Sequence, residues 1–400
     1  DVERSRGLGD VYKRQTLNGW AGQYMKSRTR YATGEFDFTT TSWGSWLQDE
    51  ITLGQLTLRP GVRVDSDDYM DKTTWAPRFS LEYDLFGDRT TLLNAGVNRY
   101  YGRSVSSWQL QDGRNRLRFN ETRDSLDKPW VVKSNAANQV RFNQLDIPYD
   151  DELMLGVVQQ WAGVEYALKY VNRKGRDQVV QVSGKTLGEP STDPTLASNY
   201  TTYTNDGKSE TDTYTLTVTP LQRWTLLGTQ TGGQLALNWT DSKASAPTYV
   251  AAENLYYQNS VIQYQGSFIN YDDRPASNFN RPWTARLTTI TEIPQANLQW
   301  SNFWRYRAGY KRIGDTGRNV DYMGTSVDVW EEQKFQAALT WDTRLGWRIP
   351  TARDQNVFIN VDVFNVLDKK SVNANQTVNS NSVSTYEVGR QYWLEVGYAF

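Results

Sequence analysis

Two runs of the sequence gather carboxylates at short spacing, Tyr149-Asp150-Asp151-Glu152 and Tyr271-Asp272-Asp273. Paired acids can serve as the acid and base of a glycosidase, or as oxygen ligands for a hard cation. Both runs are predicted to lie in loops beside strand starts, where solvated acids are the ordinary occupants, and neither sets two acids on one strand face. The chain has no histidine and no cysteine. That removes most hydrolase triads, the usual zinc sites, proximal-histidine haem ligation, thiol chemistry and disulfides. No catalytic residue, metal site or cofactor is therefore expected. Asn-X-Thr triplets at Asn120, Asn199, Asn238 and Asn375 match the glycosylation pattern, but a motif this short arises by chance.

Contact chemistry is better represented than reaction chemistry. Tyr100, Tyr101, Arg103, Trp108 and Trp130 are placed in or beside one long polar stretch, and Tyr256, Tyr257 and Tyr264 in a later one. Amphipathic aromatics offer large contact area with a polar handle, which suits a chelate or a protein surface. The plainer reading is that they pack loops against one another. Arg99, Arg103 and Arg114 can likewise meet an anionic ligand, or pair structurally with acids such as Asp65 or Glu82.

The elements that must position these residues are strands. The chain ends on Tyr392, Leu394, Val396, Tyr398 and Phe400 at every second position, with Gln391, Trp393, Glu395, Gly397 and Ala399 between them. Period-two alternation is a strand with one apolar and one wetter face. It recurs at 56–64, 164–170, 213–219, 283–293, 298–311, 335–347 and 357–363. On these strands Arg286, Arg305, Arg307, Asp342, Asp362 and Glu395 all take the polar parity. Short connections with turn chemistry at 53–55, 86–88, 162–163, 293–296 and 349–354 alternate with long polar stretches near 102–150, 185–209, 243–277, 314–330 and 368–384. Counting along them gives roughly fourteen strands.

Long loops at one end and tight turns at the other are the pattern of an outer-membrane barrel, whose strands need only about ten alternating residues. No run of 18 apolar residues is present for a membrane helix. Aromatics make up 13% of an otherwise polar chain, which suits interfacial girdles. The net charge of −1 provides no basic surface for nucleic acid. The fold class is thus all-β, an antiparallel transmembrane β-barrel facing outer-membrane lipid.

Several segments resemble the TonB-dependent outer-membrane receptors. "WLQDEITLGQLTLRPGVRVD" (46–65) resembles a family hairpin, and "WAPRFSLEYDL" (75–85) and "TLLNAGVNRYYGRS" (91–104) its next two strands. "DELMLGVVQQWAGVEYALKYVNRKGRD" (151–177) is similar to the mid-barrel hairpin, and "VDVFNVLDKK" (361–370) to the penultimate strand and its loop. "GRQYWLEVGYAF" resembles the final strand, which implies that Tyr392, Leu394, Val396, Tyr398 and Phe400 form a signal read by the barrel-assembly machinery.

The resemblance covers 46–400 and implies the C-terminal part of a barrel of about 22 strands in a bacterial outer membrane. It also implies active uptake of a scarce nutrient, an iron–siderophore chelate, energised by TonB–ExbB–ExbD through a TonB box. The plug domain and that box lack counterparts here, so residues 16–400 are read as a truncated barrel with an unpaired sheet edge near residue 16. Residues 1–15 fit neither the alternation nor its turns. One codon choice for Asp10–Gln15 resembles a transposon end used in sequencing libraries, and the segment is set aside as an assembly scar. The alternative functions are a receptor for haem or an iron-bearing protein, a passive porin, and a surface enzyme or adhesin.

Overall fold

The computed structural model describes residues 15–17, 20–35, 37, 39–102, 117–132, 145–183, 201–244, 261–271, 283–351, 355–373 and 385–400. Its main sheet is an antiparallel path of thirteen strands, each paired with the next in sequence. They are β1 (Ser42–Gln48), β2 (Leu56–Asp67), β3 (Lys72–Asp84), β4 (Thr91–Tyr101), β5 (Tyr149–Trp161), β6 (Val164–Ser183) and β7 (Thr201–Pro220). After these come β8 (Thr229–Ala244), β9 (Trp283–Ile293), β10 (Leu298–Arg307), β11 (Ala338–Pro350), β12 (Asn356–Phe364) and β13 (Gln391–Ala399). Ile51–Leu53 and Trp224–Leu226 pair beside this path.

Register explains why alternation was so persistent. One row runs Val361 to Leu345, then Leu345 to Trp300, with Leu394 on the other side of Val361. Another runs Leu155, Tyr170, Tyr214, Trp239 and Trp283 across β5 to β9. Because side chains alternate strictly, in-register pairing of apolar parities builds one continuous apolar face, and the polar parities build the other. Leu47, Val97, Leu168, Leu287, Leu345 and Leu394 are all exposed on the apolar face. An apolar surface of this extent on a lone sheet calls for lipid as its partner. Aromatic rings line it in contact across strands: Tyr170–Tyr214 at 4.8 Å, Tyr214–Trp239 at 5.3 Å and Trp283–Tyr306 at 4.9 Å.

The connections sort by rim. Residues 54–55, 85–90, 162–163, 221–228, 294–297 and 351–355 join strands at the rim where β13 ends. Residues 102–148, 184–200, 245–282, 308–337 and 365–390 join them at the other, together with the short 68–71 turn. Ala162 and Gly163 both have positive φ, 51° and 75°, as a two-residue type I′ hairpin requires. A Cβ at Gly163 would meet open space, so glycine serves the backbone there and not the packing.

Pro60 accounts for the break in the first strand. Asp49 N–H donates to the Pro60 carbonyl at 3.0 Å, but Pro60 has no N–H to return the bond. The register nevertheless continues unchanged on both sides, Gln48 opposite Gly61 and Ile51 opposite Leu58.

Several sequence expectations are corrected in detail. Residues 201–209 belong to β7 and not to a loop, because β6 and β7 extend well past the length a membrane needs. The alternation read through 298–311 stops at Arg307, and Tyr310 opens a separate hairpin, Tyr310–Tyr322 with Thr325–Phe335, where 314–330 was expected to be irregular. The sheet edge lies at β1, beyond residue 40, and not near residue 16; among the described residues β1 and β13 do not pair with each other.

Burial concentrates at the long-connection rim. Met70, Leu145, Ile147, Val179 and Tyr203 form one buried cluster between the 68–71 turn and the protruding ends of β6 and β7. Ile262, Tyr271 and Trp330 form another, inside a four-stranded sheet built from two long connections. That sheet joins Val261–Tyr264 to Thr325–Phe335 by parallel pairing, Gln263 to Val329 and Tyr264 to Trp330.

Candidate functional site

Alternation places Tyr100 on the polar, inner parity of β4 with Asn98, and Tyr101 on the apolar parity with Val97. The Tyr100 hydroxyl donates to Glu152 Oε1 at 3.3 Å. Asn98 Nδ2 and Arg173 Nη2 donate to the same carboxylate. The Arg78 and Arg173 guanidinium carbons stand 5.1 and 5.6 Å from the Tyr100 ring centroid, so two cations flank one ring.

Beside this group opens a cavity of about 580 Å³ whose lining includes Trp43, Arg63, Asp65, Arg78, Tyr100 and Tyr101. Arg63 forks onto Asp65 two residues along β2, both bonds at 2.7 Å. Gly44 sits opposite, and a Cβ there would come within 2.5 Å of Asp65 Oδ1, so the bare backbone leaves room for the ion pair. The cavity therefore combines aromatic faces, one guanidinium committed to an acid and one stacked on a ring. It can hold a ligand with both apolar and anionic parts. Sequence reasoning missed Trp43 and Arg78 here; Arg78 takes the polar parity of β3, opposite Gly61 and Asn98, whereas Trp43 shares the parity of Leu47 on β1.

The remaining candidates scatter. The Tyr101 ring lies 5.5 Å from Tyr149 and packs against the buried cluster at Met70 and Ile147. The Trp130 ring stands 4.4 Å from the Arg28 guanidinium and 4.5 Å from that of Arg123. Nearby, Arg30 and Arg28 hold the Glu121 carboxyl below the usual range by hydrogen bonding. Tyr264 belongs to the four-stranded loop sheet, and its hydroxyl donates to Glu332 Oε1 at 3.4 Å. Burial pushes the Tyr264 phenol up, with the Glu332 charge adding to the shift. Arg103, Trp108, Tyr256 and Tyr257 lie outside the described residues.

The acidic run at 150–152 starts strand β5 and does not sit in a loop, so its members alternate faces. Asp151 receives Arg99, at 2.7 and 3.0 Å, while Glu152 turns inward to Tyr100. The expected partners of Arg99 are thus replaced: Asp65 pairs with Arg63 and Glu82 with Arg89. On β13, Tyr392, Leu394, Val396 and Tyr398 form an exposed row paired with Val363, Val361, Ile359 and Val357. Phe400 is 98% exposed, with its ring 6.4 Å from that of Tyr398.

Comparison with known proteins agrees with this architecture. No family model matches the chain. It is 29% identical over 381 residues to the uncharacterized protein YddB of Escherichia coli K12, which covers 94% of the chain and 45% of that protein. The crystal structure of the outer membrane transporter YddB superposes with a TM-score of 0.71 at 28% identity, over 94% of this chain and 47% of that one. The chain has the β-barrel fold of a TonB-dependent outer-membrane transporter.

More distant transporters share the fold. The FrpB iron transporter of Neisseria meningitidis superposes with a TM-score of 0.52 at 14% identity, covering 89% of this chain and 45% of that one. A mutant of the ferric enterobactin receptor PfeA of Pseudomonas aeruginosa gives 0.55 at 14%, over 90% and 45%. The chain spans less than half the length of the curated relative it matches.

Proposed function

We propose that this chain forms barrel wall of a receptor for energised uptake of an iron–siderophore chelate, working with TonB–ExbB–ExbD. The observation that carries the reading is the division of the thirteen-strand sheet. An apolar face meets lipid, a charged and hydroxylated face meets water, and the long connections gather at one rim beside the cavity at Tyr100 and Arg78. A wall of this kind holds a ligand at the outer rim and leaves passage to a gated lumen. Support for the cargo comes from relatives of the same fold, named an iron transporter and a ferric enterobactin receptor. The aromatics Tyr100, Tyr101, Trp108, Trp130, Tyr256, Tyr257 and Tyr264, with Arg103, are the proposed capture surface. The residue 1–15 segment is proposed to be foreign to it.

The test is uptake of radiolabelled ferric chelates by iron-limited cells expressing the whole protein, with and without TonB. Uptake that disappears without TonB is expected. Uptake that persists would point to a passive pore instead. Changing Trp108, Trp130, Tyr256 and Tyr257 together to Ala is expected to weaken chelate binding while leaving membrane levels intact; full binding by that variant would reduce those aromatics to loop packing.

A further inference from the structure

Arg286 of β9 and Arg305 of β10 stand directly opposite each other in the ladder. Both take the inner, polar parity, among Thr284, Thr288 and Phe303. Like charges placed directly across a strand pair are destabilising, so the pairing opposes the fold that contains it. Several other arginines on this face have carboxylates, Arg63 with Asp65, Arg173 with Glu152, Arg307 with Glu387, and Arg344 with Asp362 and Glu395, while Arg78 stacks on the Tyr100 ring. Among the described residues no such ion pair includes Arg286 or Arg305. The neighbouring acids are engaged: Asp342 accepts the Asn365 backbone N–H at 2.7 Å, and Glu387 takes Arg307.

Arg305 is also held in place. Its Nε donates to Thr340 Oγ1 at 3.3 Å, and Thr340 is almost wholly buried. That anchors the root of the guanidinium, whose carbon stands 5.8 Å from the Phe303 ring centroid. The cross-strand neighbours on the flanking strands, Ala236 and Thr340, carry no charge.

We propose that Arg286 and Arg305 form a binding site for a multiply charged oxyanion, a polycarboxylate or a phosphate, on the inner wall near the long-connection rim. Two planar forks can each take two oxygens of such a group, and an anion between them turns mutual repulsion into shared attraction. The site does not depend on the uptake reading, since an anion can bind there without being transported.

The experiment uses the full chain folded in detergent micelles, titrated calorimetrically with inorganic phosphate and with tricarballylate at fixed ionic strength. Arg286→Gln, Arg305→Gln and the double variant are compared with Arg59→Gln, whose arginine already has Glu50 as partner. Heat-modifiable gel mobility checks that each variant is folded. Saturable binding of at least one anion is expected, weakened at least tenfold in each single variant, abolished in the double variant and unchanged in Arg59→Gln. No saturable binding by the parent chain, or a loss below tenfold in the folded double variant, overturns the site.

Discussion

In the loop sheet, three side chains set how that sheet responds to pH. Lys311 Nζ lies 2.9 Å from Glu332 Oε2, and Tyr264 donates to the other oxygen. The hydrogen bond from Lys311 holds the Glu332 carboxyl below its ordinary 4.5, and the same bond raises Lys311 above 10.5. A carboxyl with a depressed folded pKa contributes stability that is present above its unfolded value and lost as pH falls through the folded one. A raised lysine or tyrosine contributes below its unfolded value and loses that contribution as pH rises through the folded one. Both signs leave the sheet firmest between about 4.5 and 10, the ordinary values of Glu332 and Tyr264. Hydrogen exchange at 310–335 is therefore expected to accelerate on either side of that window. Lys311→Gln should remove most of the acid-side dependence, and an unchanged acid limb would show that the pair is only solvated.

For single elements, β13 is the informative one. Its outward row is long, regular and exposed, and Phe400 continues its parity beyond the strand. Replacing Phe400 by Ser is expected to lower the amount of whole protein reaching the outer membrane severalfold, measured by fractionation, because that aromatic is proposed to be read by the barrel-assembly machinery. Ligand binding per inserted molecule should not change, since Phe400 lies at the rim opposite the cavity. Equal membrane levels would remove Phe400 from the assembly signal.

Over the whole molecule, stability depends on which face meets which solvent. Leu216 and Thr217 are neighbours on β7, yet Leu216 joins the apolar row with Leu168 and Leu237, and Thr217 the polar one with Ala167 and Ala236. Leu216→Arg is expected to cost about 2–4 kcal/mol of folding free energy in a bilayer, the range for a cation facing mid-membrane lipid. Thr217→Arg, one residue away, should cost far less because its side chain stays in water. Reversible denaturation from phospholipid vesicles measures both. Equal costs would mean that the two faces do not separate lipid from water.

Much of this was written locally. Strand identity, the polar parity of Arg286, Arg305 and Glu395, and the sorting of tight turns to one rim all follow from period two, because a strand's faces are set by its own neighbours. The Ala162-Gly163 turn was legible for the same reason, as its positive φ values are a property of two residues. What sequence could not assign was partnership. Arg99 meeting Asp151, Arg63 forking onto Asp65, and Arg286 facing Arg305 depend on register between strands, in which a one-residue slip changes every pair. The extension of β6 and β7 past the membrane was hidden because polar residues take both faces at 172–178 and 204–212, so regular alternation ceases there while pairing continues. The four-stranded loop sheet was hidden too, since its parallel ladder joins residues more than sixty positions apart, and its buried core of Ile262, Tyr271 and Trp330 exists only once two connections meet.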